Sequence, residues 1–299
     1  MSKRKISKKD INSFKRFCRK HPVAAAVIML VVIGICLYSY LGGNQPAAPM
    51  EDMYVHYIDI GQGDAELICC NGQYMLIDGG EVNMQAALLR YLRQEGVKEL
   101  QYVICTHAHS DHCGGLDAVL KNFDVKTLFT TPYAGDSGAY EHFLRTADSC
   151  GIEPEVPDFS AGYKLGDAEF RFIGPIIEHE DQNANSLVVR LSYGESSFLF
   201  TGDMTSEAEQ ELLDAGVDVS CDVLKVAHHA SFRSTSYSFL YEAEPDIAVI
   251  SCGKNNDYGH PHKEVLSRLR DADCTVYRTD EEGSIVLFCD GSNVKRIQK

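Results

Sequence analysis

At 299 residues with 44% hydrophobic content, the chain is long enough for one large domain and too apolar to be intrinsically disordered. Its formal charge of −15 hides a division, because nine of the 28 Lys and Arg but only one of the 43 Asp and Glu fall within residues 1–20. The remainder holds 19 basic against 42 acidic residues, a net charge of −23, which argues against general nucleic-acid binding by counter-ion displacement.

The basic leader runs through Lys3, Arg4, Lys5, Lys8, Lys9, Lys15, Arg16, Arg19 and Lys20, and residues 23–41 that follow carry no charge. That length spans a bilayer, and the positive flank predicts a cytoplasmic N-terminus. A cleaved signal peptide has the same charge order but an apolar core of about 7–15 residues, so a retained signal anchor is favoured. The expected organisation is a leader (1–22), a single-pass anchor (23–41), a Gly/Pro linker (42–52) and one extracytoplasmic domain (53–299).

Beyond the linker, strand and helix signals alternate. Period-two or continuous apolar runs predict strands at 54–60, 66–70, 74–78, 102–106, 127–131, 170–173, 187–191, 198–201, 222–226, 247–251, 275–277 and 285–289. Helical patterns lie at 82–93, 116–122, 140–149, 207–214, 237–242 and 263–270. Nine cysteines beyond the apolar segment have no regular spacing, and Cys69, Cys105, Cys252 and Cys289 sit in apolar runs, so most are expected to be buried thiols.

Residues 106–115 read T-H-A-H-S-D-H-C-G-G. His107, His109, Asp111 and His112 follow an apolar run directly, so a strand end delivers imidazoles and a carboxylate to one sheet rim, where they can hold Zn²⁺ or Mn²⁺. Two further histidine clusters follow, His228 with His229 and His260 with His262. A weak repeat accompanies them. Two hairpin-like stretches, from Ala65 and from Ser186, end in Asp78 and Asp203, and each precedes by about thirty residues a strand that terminates in histidines. Two similar halves packed face to face would bring both sets to a shared edge.

Together these segments resemble the metallo-β-lactamase superfamily, whose H-x-H-x-D-H signature stands at residues 107–112. The segments Y-I-D-I-G-Q-G-D-A (57–65), I-D-G-G (77–80), F-T-G-D-M (200–204), L-K-V-A-H-H-A-S (224–231) and N-D-Y-G-H-P-H (256–262) are similar to the branch containing the C-terminal domain of the competence protein ComEC and pneumococcal phosphorylcholine esterase. The resemblance covers about residues 53–290. It implies an α/β fold, an αββα sandwich with two divalent metals at one edge. His107 and His109 would bind the first metal, Asp111 and His112 the second, and Asp203 would bridge them. His228 or His229 would complete the second, with His229 preferred.

A pair of cations lowers the pKa of water and stabilises a leaving oxygen, which suits hydrolysis. Asp111 is also a candidate for orienting the water, and His260 or His262 for protonating the leaving group, although G-H-P-H serves equally well to shape a loop. The family's usual third histidine for the first metal is missing. Only His142 and His179 lie in that interval, and Asn185, within N-A-N-S, is the candidate in its place, a weaker ligand that makes Mn²⁺ as suitable as Zn²⁺. Asp59, Gln62, Asp64 and Asp78 are expected to orient ligands through hydrogen bonds, Ser231 is grouped with them, and Lys225 faces either a substrate anion or solvent.

The leading expectation is a membrane-anchored phosphodiesterase or DNase linked to DNA uptake, as the resemblance implies, working with a separate channel. A hydrolase of smaller phosphoesters such as phosphorylcholine fits the acidic body better, and a degenerate metal-binding scaffold is the third class.

Overall fold

The computed structural model describes residues 52–133, 135 and 137–298. The basic leader, the apolar segment 23–41 and all of the linker but Asp52 lie outside the described residues. No helix among the described residues is long and apolar enough to cross a membrane.

Along the chain, β1 (Met53–Tyr57), β2 (Glu66–Cys70), β3 (Gln73–Ile77), α1 (Gln85–Gln94), β4 (Glu99–Cys105), α2 (Ser110–Cys113), α3 (Leu116–Asn122), β5 (Asp124–Thr130), α4 (Gly138–Ser149) and β6 (Pro154–Glu155) come first. Then follow β7 (Tyr163–Leu165), β8 (Ala168–Gly174), β9 (Val188–Tyr193), β10 (Ser196–Phe200), α5 (Ser206–Asp214), β11 (Val223–Lys225), α6 (Tyr237–Ala243), β12 (Ile247–Ile250), α7 (Lys263–Asp271), β13 (Thr275–Arg278), α8 (Thr279–Glu282), β14 (Ile285–Cys289) and β15 (Val294–Ile297). One eight-stranded sheet has the order β15-β14-β1-β2-β3-β4-β5-β6, and a seven-stranded sheet has the order β13-β12-β11-β10-β9-β8-β7.

Successive residues of a strand point to opposite faces, so an unbroken apolar run needs cover on both sides. Met75 and Ile77 of β3, Ile104 of β4, and Phe198 and Phe200 of β10 enter one core between the sheets. The alternate residues Leu76, Val103 and Cys105 pack outward under Leu88, Leu92, Val119 and Phe143 of the helices. On the second sheet, Leu199, Leu224 and Ile250 pack under Leu212, Leu240 and Leu269. The four layers form the αββα sandwich that the alternation demands.

Strand pairing bears out the two-half layout. The antiparallel β2–β3 hairpin hands its second strand to β4 in parallel, and the antiparallel β9–β10 hairpin does the same with β11. In each half an aspartate leaves the hairpin and histidines leave the parallel strand, so both sets emerge at strand C-terminal ends.

The departures from expectation are local. The helix expected from residue 82 begins as the 3-10 turn Val82–Met84 before α1. The short strands β6, β7 and β15 lie at or beside sheet edges, where they need no apolar residues on both faces, and so left no periodic signal. Cys105, Cys252 and Cys289 are buried, Cys69 is only partly so, and no disulfide forms among the described residues.

Candidate metal centre

Two Gly-Gly pairs set the backbone of the first half. Gly79 N–H donates to His112 O at 2.7 Å and Gly115 N–H to Gly80 O at 2.8 Å. A Cβ on Gly115 would lie 2.0 Å from Gly79 O, so only glycine permits this approach. The I-D-G-G segment after β3 is thereby locked to the end of the histidine motif, which aligns Asp78 with His112.

The second half uses strain instead. His228, His229 and Ala230 are consecutive left-handed residues, with φ of 50°, 52° and 65°, a conformation that costs an L-residue roughly 1–2 kcal/mol. The bend is held by His228 N–H on Gly202 O at 3.0 Å, Ser231 N–H on His228 O at 2.8 Å and Ser234 Oγ on Ala227 O at 2.9 Å.

These two frames bring Asp111, His112, Asp203 and His229 together, with one ligand atom from each within 4.8 Å of the others. His112 Nε2 lies 3.1 Å from Asp203 Oδ1, and His229 Nε2 lies 3.3 Å from Asp111 Oδ2 and 3.5 Å from Asp203 Oδ1. His112 Nε2, His229 Nε2 and Asp203 Oδ1 are buried and have no hydrogen-bond partner. Three such atoms left facing one another are costly unless a cation satisfies them, and imidazole nitrogen with carboxylate oxygen is the donor set a divalent metal takes. A second group of His107, His109 and Asp203 meets the same 4.8 Å limit, with His107 Nε2 3.1 Å from His109 Nδ1. Asp203 belongs to both.

The far nitrogens of the imidazoles are held from behind. His112 Nδ1 meets Asp78 Oδ2 at 2.7 Å, and Asp78 also accepts from Thr106 N–H at 2.8 Å and Thr106 Oγ1 at 2.7 Å. His229 Nδ1 sits between Ser251 O at 2.9 Å and Asp64 Oδ1 at 3.2 Å. His107 Nδ1 is 3.1 Å from Thr106 Oγ1 and 3.3 Å from Ser186 Oγ. Each ring therefore presents Nε2 to the cluster, in the manner of metal-binding histidines oriented by outer partners.

The family model of the metallo-β-lactamase superfamily matches residues 58–254. The chain belongs to this superfamily. ComE operon protein 3 of Bacillus subtilis is 32% identical over 250 residues, covering 77% of this chain and 32% of that protein. Recombination protein 2 of Haemophilus influenzae is 32% identical over 239 residues, 77% of this chain and 28% of its own. Competence protein ComA of Neisseria gonorrhoeae is 28% identical over 296 residues, 91% of this chain and 40% of its own. These relatives match the ComEC-like branch, and the chain spans less than half the length of each. Among solved structures, the metallo-β-lactamase fold protein YhfI from Bacillus subtilis superposes with a TM-score of 0.57 at 14% identity, covering 80% of this chain and 100% of that one. CmlA, a diiron β-hydroxylase from Streptomyces venezuelae, gives 0.51 at 17% identity, covering 84% and 55%. At such identities the structures show the superfamily fold alone.

Within that fold the cluster's electrostatics follow from burial and mutual charge. Burial, reinforced by His112, pushes His107 well below its usual range. Burial also opposes charge on His112 and His229, but Asp203 with Asp78 holds His112 well above its usual range, and Asp203 with Asp64 lifts His229 to about 10. Burial alone would raise Asp203, yet His112, His229 and His228 keep it well below the carboxylate range. Without a metal, the acidic neighbours favour the protonated forms of His112 and His229.

Several expected roles change. Asn185 is buried, but its Oδ1 accepts from His179 N–H at 2.8 Å and its Nδ2 donates to His179 O at 2.9 Å, so its amide closes a loop instead of joining His107 and His109. His179 pairs with Glu211 at 3.1 Å and His142 with Asp117 at 3.2 Å, so neither supplies the third imidazole. Lys225 does not face solvent. Both faces of the central strand β11 are covered, and Lys225 Nζ, 1% exposed, pairs with Asp64 at 2.7 Å. Asp59 is exposed and accepts from Gly61 N–H in a turn at 3.2 Å. Ser231 Oγ accepts from Arg233 N–H at 3.4 Å and so serves its own turn.

Asp64 and Asp78 do touch ligand candidates. Gln62 acts one step further out, with Oε1 accepting from Gly253 N–H at 3.1 Å and Nε2 3.4 Å from His260 Nδ1, which ties the G-H-P-H loop to the site. His228 Nε2 stands 3.6 Å from Asp203 Oδ2, outside the four-residue group. Burial, with His229 and His228 nearby, pushes His260 down to about 4. Sequence reasoning missed Thr106 and Ser186, whose hydroxyls orient His107. Their position immediately beside a ligand residue and in N-A-N-S was the available signal.

Proposed function

We propose that this chain is a two-metal phosphodiesterase acting on DNA at the outer face of a membrane, held by residues 23–41 and working beside a separate uptake channel. The observation that carries the reading is Asp203, one carboxylate shared by two ligand groups. The likeness to ComE operon protein 3 and to competence protein ComA supports the link to DNA uptake.

His107, His109 and Asp203 would hold one cation, and Asp111, His112, His229 and Asp203 the other, as Zn²⁺ or Mn²⁺. The first set, with two imidazoles and one carboxylate, is a donor set that Zn²⁺ takes. Two bound cations would supply the positive charge that activates water and steadies the leaving oxygen. The chain's own residues do the rest. Asp78 and Asp64 fix the rings of His112 and His229, and burial excludes bulk water from their Nε2 atoms.

His260, pushed down to about 4, is neutral at neutral pH and a poor proton donor. His262 Nδ1 accepts from Phe232 N–H at 3.2 Å, so that ring anchors the loop, and neither histidine of G-H-P-H is assigned the leaving-group proton. Incubating the full chain with Zn²⁺ or Mn²⁺ and either DNA or an aryl phosphorylcholine tests the reading. Hydrolysis of DNA that disappears in Asp203→Ala supports it. Turnover of the choline ester alone, or of neither, refutes it.

A further inference from the structure

Apart from Phe159, the exposed aromatic side chains among the described residues fall into two pairs with opposite surroundings. Tyr237 and Tyr241 line a cavity of about 1240 Å³, together with Asp214, Asp218, Glu242 and Asp271, a setting that repels a polyanion. Tyr258 and Phe232 stand elsewhere, 66% and 55% exposed, on the histidines beside the metal centre. The Tyr258 ring is stacked on His260 with centroids 5.7 Å apart and planes 17° from parallel. Phe232 meets His262 edge-on at 5.1 Å, and the His260 and His262 rings are 5.0 Å apart. His260 in turn lies 5.9 Å from His229. A run of rings therefore leads from a ligand candidate to two free aromatic faces.

Both faces are fixed in advance. Asn256 Oδ1 accepts from Tyr258 N–H at 3.1 Å and His260 N–H at 3.0 Å, while its Nδ2 donates to Gly253 O at 2.8 Å. Phe232 is anchored through its N–H on His262 and through Arg268 Nη2 on its carbonyl at 3.4 Å. Exposed Lys254 and Lys263 are offset by the neighbouring exposed Asp257 and Glu264, so this rim offers a phosphate chain little net charge. Affinity has to come from stacking, which needs free base faces and tolerates any sequence.

We propose that Tyr258 and Phe232 form a base-stacking platform that presents single-stranded DNA to the metal centre, an inference that rests on the phosphodiesterase reading above. A duplex already hides its base faces in its own stack, so the platform selects single strands. Few phosphate contacts also mean a shallow dependence of binding on salt.

The test is direct binding of a 5′-labelled single-stranded oligonucleotide to the full chain in EDTA, followed by fluorescence anisotropy. Tyr258→Ala and Phe232→Ala are each expected to weaken binding about tenfold, with Tyr258→Phe restoring it. An abasic strand of equal length and the matching duplex should bind wild type as weakly as the alanine variants bind the normal strand. Both side chains are exposed, so unchanged thermal midpoints will show that the variants fold. Equal binding by wild type and the alanine variants, equal binding of the abasic strand, or no binding to wild type would overturn the platform. Hydrolysis of a bis-aryl phosphodiester by the metal-loaded wild type is scored separately. Its failure sinks the phosphodiesterase reading, whereas hydrolysis with unaltered strand binding in the variants sinks the platform alone.

Discussion

Asp78 and Asp203 stand at matching places in the two halves of the sandwich, each just beyond the second strand of a hairpin and each almost fully buried. Their environments differ. Asp78 is occupied by Thr106 N–H, Thr106 Oγ1 and His112 Nδ1, whereas Asp203 keeps Oδ1 without a hydrogen-bond partner among the histidines of both halves. One frame, used twice, has put one carboxylate to work holding an imidazole and left the other for a cation. The contrast separates a residue that positions a ligand from one that is placed to be a ligand.

Asp203→Asn attacks the ligand side and carries the largest expected effect. It keeps the shape but removes the charge common to both groups, so DNA hydrolysis should fall by about a thousandfold or more, on the scale of losing a central electrostatic partner. Steady-state assays at saturating metal, with circular dichroism to show an intact fold, measure it.

Next is the ion pair that ties the halves together. Lys225→Met removes the shortest ion pair of the buried Asp64, leaving only His229 and His112 beside it, and should cost about 3 kcal/mol of stability in urea unfolding. A loss below about 1 kcal/mol would mean that Lys225 is as exposed as ordinary surface ion-pair partners.

Asp78→Asn tests the positioning side. With the ring of His112 less firmly held, metal affinity should drop by about 10–100-fold while activity returns at high metal concentration. A defect that excess metal does not repair would place Asp78 with the ligands and erase the contrast.

The smallest expected effect is a pH slope. In metal-free protein the raised His229 contributes stability that is fully present below its ordinary value of 6.5 and is lost as pH rises through about 10. The depressed Asp203 describes the same attraction from the acid side, with stability present above its ordinary 3.8 and lost as pH falls through its folded value. The thermal midpoint in EDTA should therefore decline between pH 7 and 10, a slope that bound metal should remove. A flat profile in EDTA would contradict the charge assignment.

Much of this arrangement was legible in the chain. The apolar runs marked the sandwich because both faces of its central strands are buried, and the two hairpins ending in Asp78 and Asp203 marked its repeat. Single-residue roles were less visible where they depended on which way a side chain turns. Nothing in L-K-V-A-H-H distinguishes a lysine facing solvent from one crossing to Asp64, and N-A-N-S does not tell that the Asn185 amide closes on His179. The sequence prefers His229 to His228 only slightly, since the left-handed bend that sets the two apart is expressed only by the folded backbone. Thr106 and Ser186 escaped because hydroxyls carry no metal-binding signature of their own.

That Asp203 joins two metal sites is tested most directly by metal stoichiometry. Metal-stripped full-length chain, titrated with Mn²⁺ or Zn²⁺ and measured by elemental analysis after removal of free ion, should bind two ions per chain in the wild type and at most one in Asp203→Asn. Two ions bound by the variant with wild-type affinity, or none bound by the wild type, would contradict the account.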